Sequence, residues 1–147
     1  MFEHLGLSFI WLLIAYSVVT FVAIIHMYIF HHFYGVPNAK QAGTSYLKSP
    51  AYLKTLPYQA IYNVVLFPIF LWLYVRGIET NNLQELMFNT VIQWTVISII
   101  LDYVAWVLIP HPFRFTHKEF YIDYQPWITL IYLSIFVSHY ILGFFIG

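Results

Sequence analysis

Residues 86–109 read LMFNTVIQWTVISIILDYVAWVLI, and the fold turns on this run. Its only formally charged side chain is Asp102. A helix crossing the hydrocarbon layer needs about 20 mostly apolar residues, and this run is long enough. A membrane-barrel strand would instead alternate polar and apolar residues over about ten positions. Residues 91–100 and 128–137 show no such alternation. The run reads as a transmembrane helix.

Three more segments meet the same criterion, at about 5–33, 57–75 and 126–147. Composition agrees: apolar residues make up 61% of the 147 positions and charged residues 8%. A soluble domain carries roughly a quarter charged residues, so this chain lacks the means to build a hydrated exterior. The expected fold is all-α: a polytopic membrane protein whose residues 1–147 form one bundle of four transmembrane helices. Proline punctuates it. Pro57 and Pro126 suit first turns, where a missing N–H costs nothing, and Asp123 precedes the fourth span, where a carboxylate complements the helix dipole. Pro110 and Pro112 stop the third span, and Pro68 is expected to kink the second.

Several function classes fall away. Net charge is zero and the six Lys and Arg form no cluster, so the basic footprint that nucleic-acid binding needs is missing. With no cysteine, disulfides, thiolate metal sites and thiol nucleophiles are excluded. Met1-Phe2-Glu3-His4 has no basic n-region, and the apolar run after it has no small-residue cleavage site, so the first span reads as a retained helix.

Orientation follows from basic residues in short loops. Lys40, Lys48 and Lys54 lie in loop 34–56, and Arg114 and Lys118 in loop 110–125; Arg76 alone lies in the second loop. These counts predict a cell-membrane protein with both termini outside and both long loops cytoplasmic. Trp11, Trp72 and Trp94 are expected at the outer headgroup layer, and Trp106 and Trp127 at the inner one. Tyr46-Leu47-Lys48-Ser49-Pro50 is echoed by Tyr52-Leu53-Lys54-Thr55-Leu56. Tyr and Leu on lipid beside Lys at headgroups suit an interfacial loop, with a lipid-docking surface as the sharper reading.

The embedded polar groups carry the functional signal. An ionisable side chain in hydrocarbon costs at least roughly 2.5–3.5 kcal/mol, so it faces the bundle interior and finds a partner. Counting from the loop ends at about 1.5 Å per residue puts His26, Asn63, Asp102 and Tyr132 near one level. Thr95, Ser98, Asp102 and Ala105 share a stripe of the third helix, as do Ala15, Val19, Val22, Ala23 and His26 in the first. Gln59 and Asn63 share a face, and so do Ser134 and Ser138, whose hydroxyls are expected to bond across helix contacts. The expectation is a binding layer in the cytoplasmic half, with His26 facing Asp102 and Asn63, Tyr132, Gln59 and Ser98 around them. The alternative for the pair is a structural clasp. His139 is expected to bond Tyr16 or a serine.

Five histidines gather toward the predicted inner face: His26, His31, His32, His111 and His117, with Glu119 and Asp123 nearby. Imidazole and carboxylate are ligands of zinc and non-haem iron, which makes His31, His32, His111 and His117 candidate metal ligands. Their spacing departs from the repeated H-x-x-x-H and H-x-x-H-H boxes of membrane lipid hydroxylases and desaturases. Bis-histidine haem between His26 and His139 is disfavoured by a depth difference of roughly 10 Å or more. Gly143 and Gly147 form a terminal G-x-x-x-G, a weak dimer signal. Three functions fit these features: a binding or transport-type protein, an accessory subunit of a larger membrane complex or homodimer, and a metal-dependent enzyme acting on membrane lipid.

Overall fold

A computed structural model describes residues 4–111 and 114–146. Met1, Phe2, Glu3, Pro112, Phe113 and Gly147 lie outside the described residues, and with them Pro112 as a helix stop and Gly147 as half of the G-x-x-x-G. Among the described residues there is no strand. The helices are α1 (Leu5–Tyr34), α2 (Ala39–Ala42), α3 (Pro50–Leu53), α4 (Leu56–Val75), α5 (Leu83–Asp102) and α6 (Trp127–Ile146). Four of these stretches, with α5 running on to Leu108, are long and apolar enough to cross a membrane. Each begins and ends close to the expected limits.

Local chemistry accounts for the ends. Gly35 closes α1 in the left-handed conformation (φ 64°), and the Val36 N–H reaches back to the Phe30 carbonyl at 3.1 Å. Such a closure favours a residue without Cβ. Pro57 sits in the first turn of α4, as expected. Pro126 stands just before α6, its carbonyl accepting the Leu130 N–H at 3.0 Å. Pro68 lies buried inside α4, which continues through it to Val75; its ring nitrogen has no proton to give the carbonyl four residues back.

Loop 34–56 is more ordered than an interfacial strap. Asn38 and Gln41 form a reciprocal capping box on α2, Ser49 caps α3 ahead of Pro50, and Ser49, Ala51 and Thr55 are fully buried. The segment packs onto the bundle rather than only resting on lipid.

One phase error matters. The buried stripe of α1 runs through Ser8, Leu12, Ala15, Ala23 and Met27, so the position after Ala23 that turns inward is Met27 and not His26. In α5 the buried set is Met87, Thr90, Val91, Trp94, Ser98 and Asp102. Trp94 is therefore no headgroup anchor. It has 0% exposure and donates from Nε1 to Ser8 Oγ at 2.9 Å. Trp72 does stay outside, with the Arg76 guanidinium 4.8 Å from its ring centre.

Two layers result. Toward the chain termini, Leu12, Leu71, Met87, Val91 and Trp94 pack with no exposure at all. Toward the long loops the packing opens into a cavity.

Candidate functional site

The cavity measures about 350 Å³ and takes walls from all four spans, within the roughly 300–1,000 Å³ range of ligand sites. Most of its wall is apolar or aromatic. Asp102 is buried in it at 7% exposure. The Tyr16 hydroxyl donates a short hydrogen bond to one carboxylate oxygen of Asp102, and the Tyr132 hydroxyl donates to the other at 2.9 Å. Trp106 Nε1 donates in turn to the Tyr16 oxygen at 3.0 Å. Trp106 belongs to a π-helical turn, Tyr103–Leu108, that follows Asp102 directly. Wider turns of this kind recur beside functional residues.

Asn63 and Ser98 also line the cavity, at 2% and 1% exposure. Asn63 donates weakly to the Ile131 carbonyl at 3.4 Å, while its Oδ1 and the Ser98 hydroxyl have no hydrogen-bond partner among the described residues. A buried polar atom left unpaired costs about 1–3 kcal/mol. Gln59 lines the same space and donates to Thr55 Oγ1 at 3.3 Å. Thus Asp102, Asn63, Ser98 and Gln59 come together around one space, with Tyr132 at the carboxylate.

His26 does not join them. It shares a hydrogen bond with Tyr62 and packs against Phe30 and Tyr58, with ring centres 4.6 and 4.8 Å away. Register explains why. Ser8 meets Trp94 and Tyr16 meets Asp102, so α1 and α5 run parallel with one constant offset. That offset carries His26 past Ile109, where the third span has ended. Counting inward from the loop end misplaced His26 because α1 has 30 residues against 20 in α4 and α6. Past the level of Asp102 its last turns pack on the start of α4 and on the loop that follows α1. Tyr16 holds the place expected for the histidine, and it was hidden among thirteen tyrosines.

Two further expectations are corrected. Ser134 and Ser138 donate to their own helix, to the carbonyls of Ile131 and Ile135 at 2.6 Å each, rather than across helix contacts. His139 bonds the Phe136 carbonyl at 2.7 Å, not Tyr16 or a serine.

The candidate metal ligands have separate surroundings. His31 pairs with the Val36 carbonyl at 2.9 Å and accepts from Asn38 Nδ2 at 3.1 Å, and His32 lies against its ring. His111 donates to the Ala105 carbonyl at 2.6 Å. His117 packs on Tyr103 and Tyr121. Among the described residues, no three His, Asp or Glu side chains are grouped so as to hold a metal ion.

The two long loops close the cavity's end. Tyr46, Leu47 and Tyr52 line it from one loop and Phe115, Phe120 and Tyr124 from the other. Lys48 and Glu119 form an ion pair at 2.5 Å, and the Tyr124 hydroxyl donates to the Leu47 carbonyl at 2.7 Å. The Lys48 ammonium, helped by the Thr116 backbone N–H, holds the Glu119 carboxyl below the usual glutamate range.

No protein-family model, curated protein or solved structure matches this chain. Any functional reading therefore stands on the site alone.

Proposed function

We propose that this protein binds a small amphipathic molecule inside its four-helix bundle, with the polar end of the ligand at Asp102 and its apolar body against the aromatic wall. One observation carries the reading: a cavity of about 350 Å³ lined by all four spans, whose lining residues Asn63 and Ser98 each hold a buried oxygen without a partner. Native cores are packed to crystal-like density and leave few polar atoms unpaired. A space that breaks both rules at one place suits an occupant.

The close-packed layer of Leu12, Leu71, Val91 and Trp94 separates this cavity from a polar cleft near the termini lined by His4, Glu79 and Gln93. The reading is therefore binding from the loop end rather than a continuous pore. The distribution of Lys and Arg supports placing that end in the cytoplasm.

The test is ligand retention. Ala23 lines the cavity from α1 with 6% exposure, so Ala23→Leu puts added bulk into the space. Decanol added to detergent-purified protein should form a one-to-one adduct in native mass spectrometry, and Ala23→Leu should lose it while unfolding no more easily. A wild-type protein that retains no adduct would overturn the reading.

A further inference from the structure

We infer that the cavity selects a cationic amphiphile, one whose polar end is a protonated amine carried on an apolar body; this rests on the cavity being a binding site. Charge comes first. Among the described residues, Asp102 is the only one lining the space that is able to carry a full charge near neutral pH, and no Lys, Arg or His lines it. Its two hydrogen bonds come from neutral phenols, Tyr16 and Tyr132, and the ion pairs among the described residues, Lys48–Glu119 and Lys118–Asp123, lie elsewhere. A carboxylate in hydrocarbon without a cation is a costly arrangement, and paired charges are the rule there. The bound amine supplies the missing partner.

The hydrogen-bonding vacancy leans the same way. Asn63 Oδ1 can only accept, while the Ser98 hydroxyl can accept or donate. A carboxylate has about four lone-pair positions, of which the two phenols use two. An ammonium brings three donors and no acceptor. A carboxylate or phosphate headgroup brings only acceptors and a negative charge: the charge is repelled by Asp102, and of the two unpaired groups only the Ser98 hydroxyl could donate to it.

The wall supplies a third, independent preference. Tyr16, Tyr46, Tyr52, Trp106, Tyr124 and Trp127 all line the cavity. Aromatic faces attract cations, and desolvated sites strengthen the attraction. A purely apolar ligand packs on these rings without drawing on their attraction for charge.

The experiment compares three ten-carbon probes on the full chain in one neutral detergent: decylamine, decanol and decanoate, with one-to-one adducts read by native mass spectrometry. The expected order is decylamine first, at least about tenfold tighter than decanol, as a desolvated charge pair provides, with decanoate last. Asp102→Asn should level decylamine with decanol, and Ala23→Leu should retain none of the three. Decanol or decanoate binding as tightly as decylamine overturns the charge selection while leaving the cavity as a binding site. Retention of none of the probes by the wild type overturns both. If Asp102→Asn does not fold, the ranking on the wild type decides.

Discussion

Asp102 sits in a span where insertion of an acid costs at least roughly 2.5–3.5 kcal/mol. The hydroxyls of Tyr16 and Tyr132 offset part of that, since hydrogen bonds between membrane helices average about 0.6 kcal/mol and reach about 1.7. The balance favours a residue held for binding over one held for stability, and this separates two substitutions. Tyr16→Phe removes the donor from a charged acceptor and should lower stability by about 1–2 kcal/mol in denaturation from detergent micelles. Asp102→Asn removes the charge, keeps one acceptor oxygen, and should change stability by less than about 1 kcal/mol while the preference for amine over alcohol is lost. A larger loss for Asp102→Asn than for Tyr16→Phe would make the carboxylate a structural clasp. Asp102, Asn63, Ser98, Gln59 and Tyr132 were legible in the sequence because polar residues inside apolar runs stand out. Tyr16 was not. Counting depth from the loop end put His26 and not Tyr16 opposite Asp102, and only the matched offsets of Ser8 to Trp94 and Tyr16 to Asp102 reveal it.

Helix register depends on those same contacts. The Ser8–Trp94 and Tyr16–Asp102 bonds are separated by eight residues on each helix, roughly 12 Å of rise. They hold α1 and α5 in phase at two heights. Trp94 Nε1 lies 2.9 Å from Ser8 Oγ and 3.2 Å from the Ser8 carbonyl, so Ser8→Ala leaves it an acceptor and should cost no more than about 1 kcal/mol. Trp94→Ala should cost about 3–5 kcal/mol, because it hollows the packed layer; equal losses in the two variants would mean that the hydrogen bond, and not the ring, sets the register. At the loop end the Lys48–Glu119 pair joins segments far apart in sequence. The folded Glu119 carboxyl lies below its usual range, so its contribution is complete above the ordinary glutamate pKa. It is lost as pH falls through the lowered folded value. Protease cleavage within loop 34–56 should therefore accelerate at acid pH in the wild type, and Glu119→Gln should cleave fast at all pH values. Cleavage of the variant that is as slow as the wild type at neutral pH would show that Tyr124 alone holds the loops. Hydropathy located every span, but it sums over all faces of a helix and so cannot report rotation or axial register. That is why His26 was assigned inward in place of Met27. The caps Asn38-x-x-Gln41 and Ser49-Pro50 were present in the sequence all along, inside a segment read as an interfacial loop, and each starts a helix of only 4 residues.

The four spans form a vessel closed at one end and latched at the other. The closed end is the layer built on Leu12, Leu71, Val91 and Trp94, and the latched end is where the two long loops meet over Leu47. Ligand exchange must then pass the loops or slip between helices on their side of the bundle, and the side of the membrane they occupy decides which pool of ligand the protein can reach. The distribution of positive charge predicts the cytoplasm for them, with Lys40, Lys48 and Lys54 in one loop, Arg114 and Lys118 in the other and Arg76 alone opposite. The chain offers a clean test, because it has no cysteine and Lys40, Arg76 and Lys118 are all exposed. Single variants Lys40→Cys, Arg76→Cys and Lys118→Cys in intact cells should separate under a membrane-impermeant maleimide. Arg76→Cys should label, and the other two should label only after the cells are opened. Labelling of Lys40→Cys and Lys118→Cys in intact cells, with Arg76→Cys protected, would invert the bundle and turn the cavity toward ligands outside the cell. The packing around Asp102 would be unchanged by that inversion, since the helix contacts do not depend on which side the loops face. On the proposed reading, chemical selectivity and compartment of supply are thus set by separate parts of this molecule: the first by Asp102 and its aromatic wall, the second by a handful of lysines and arginines.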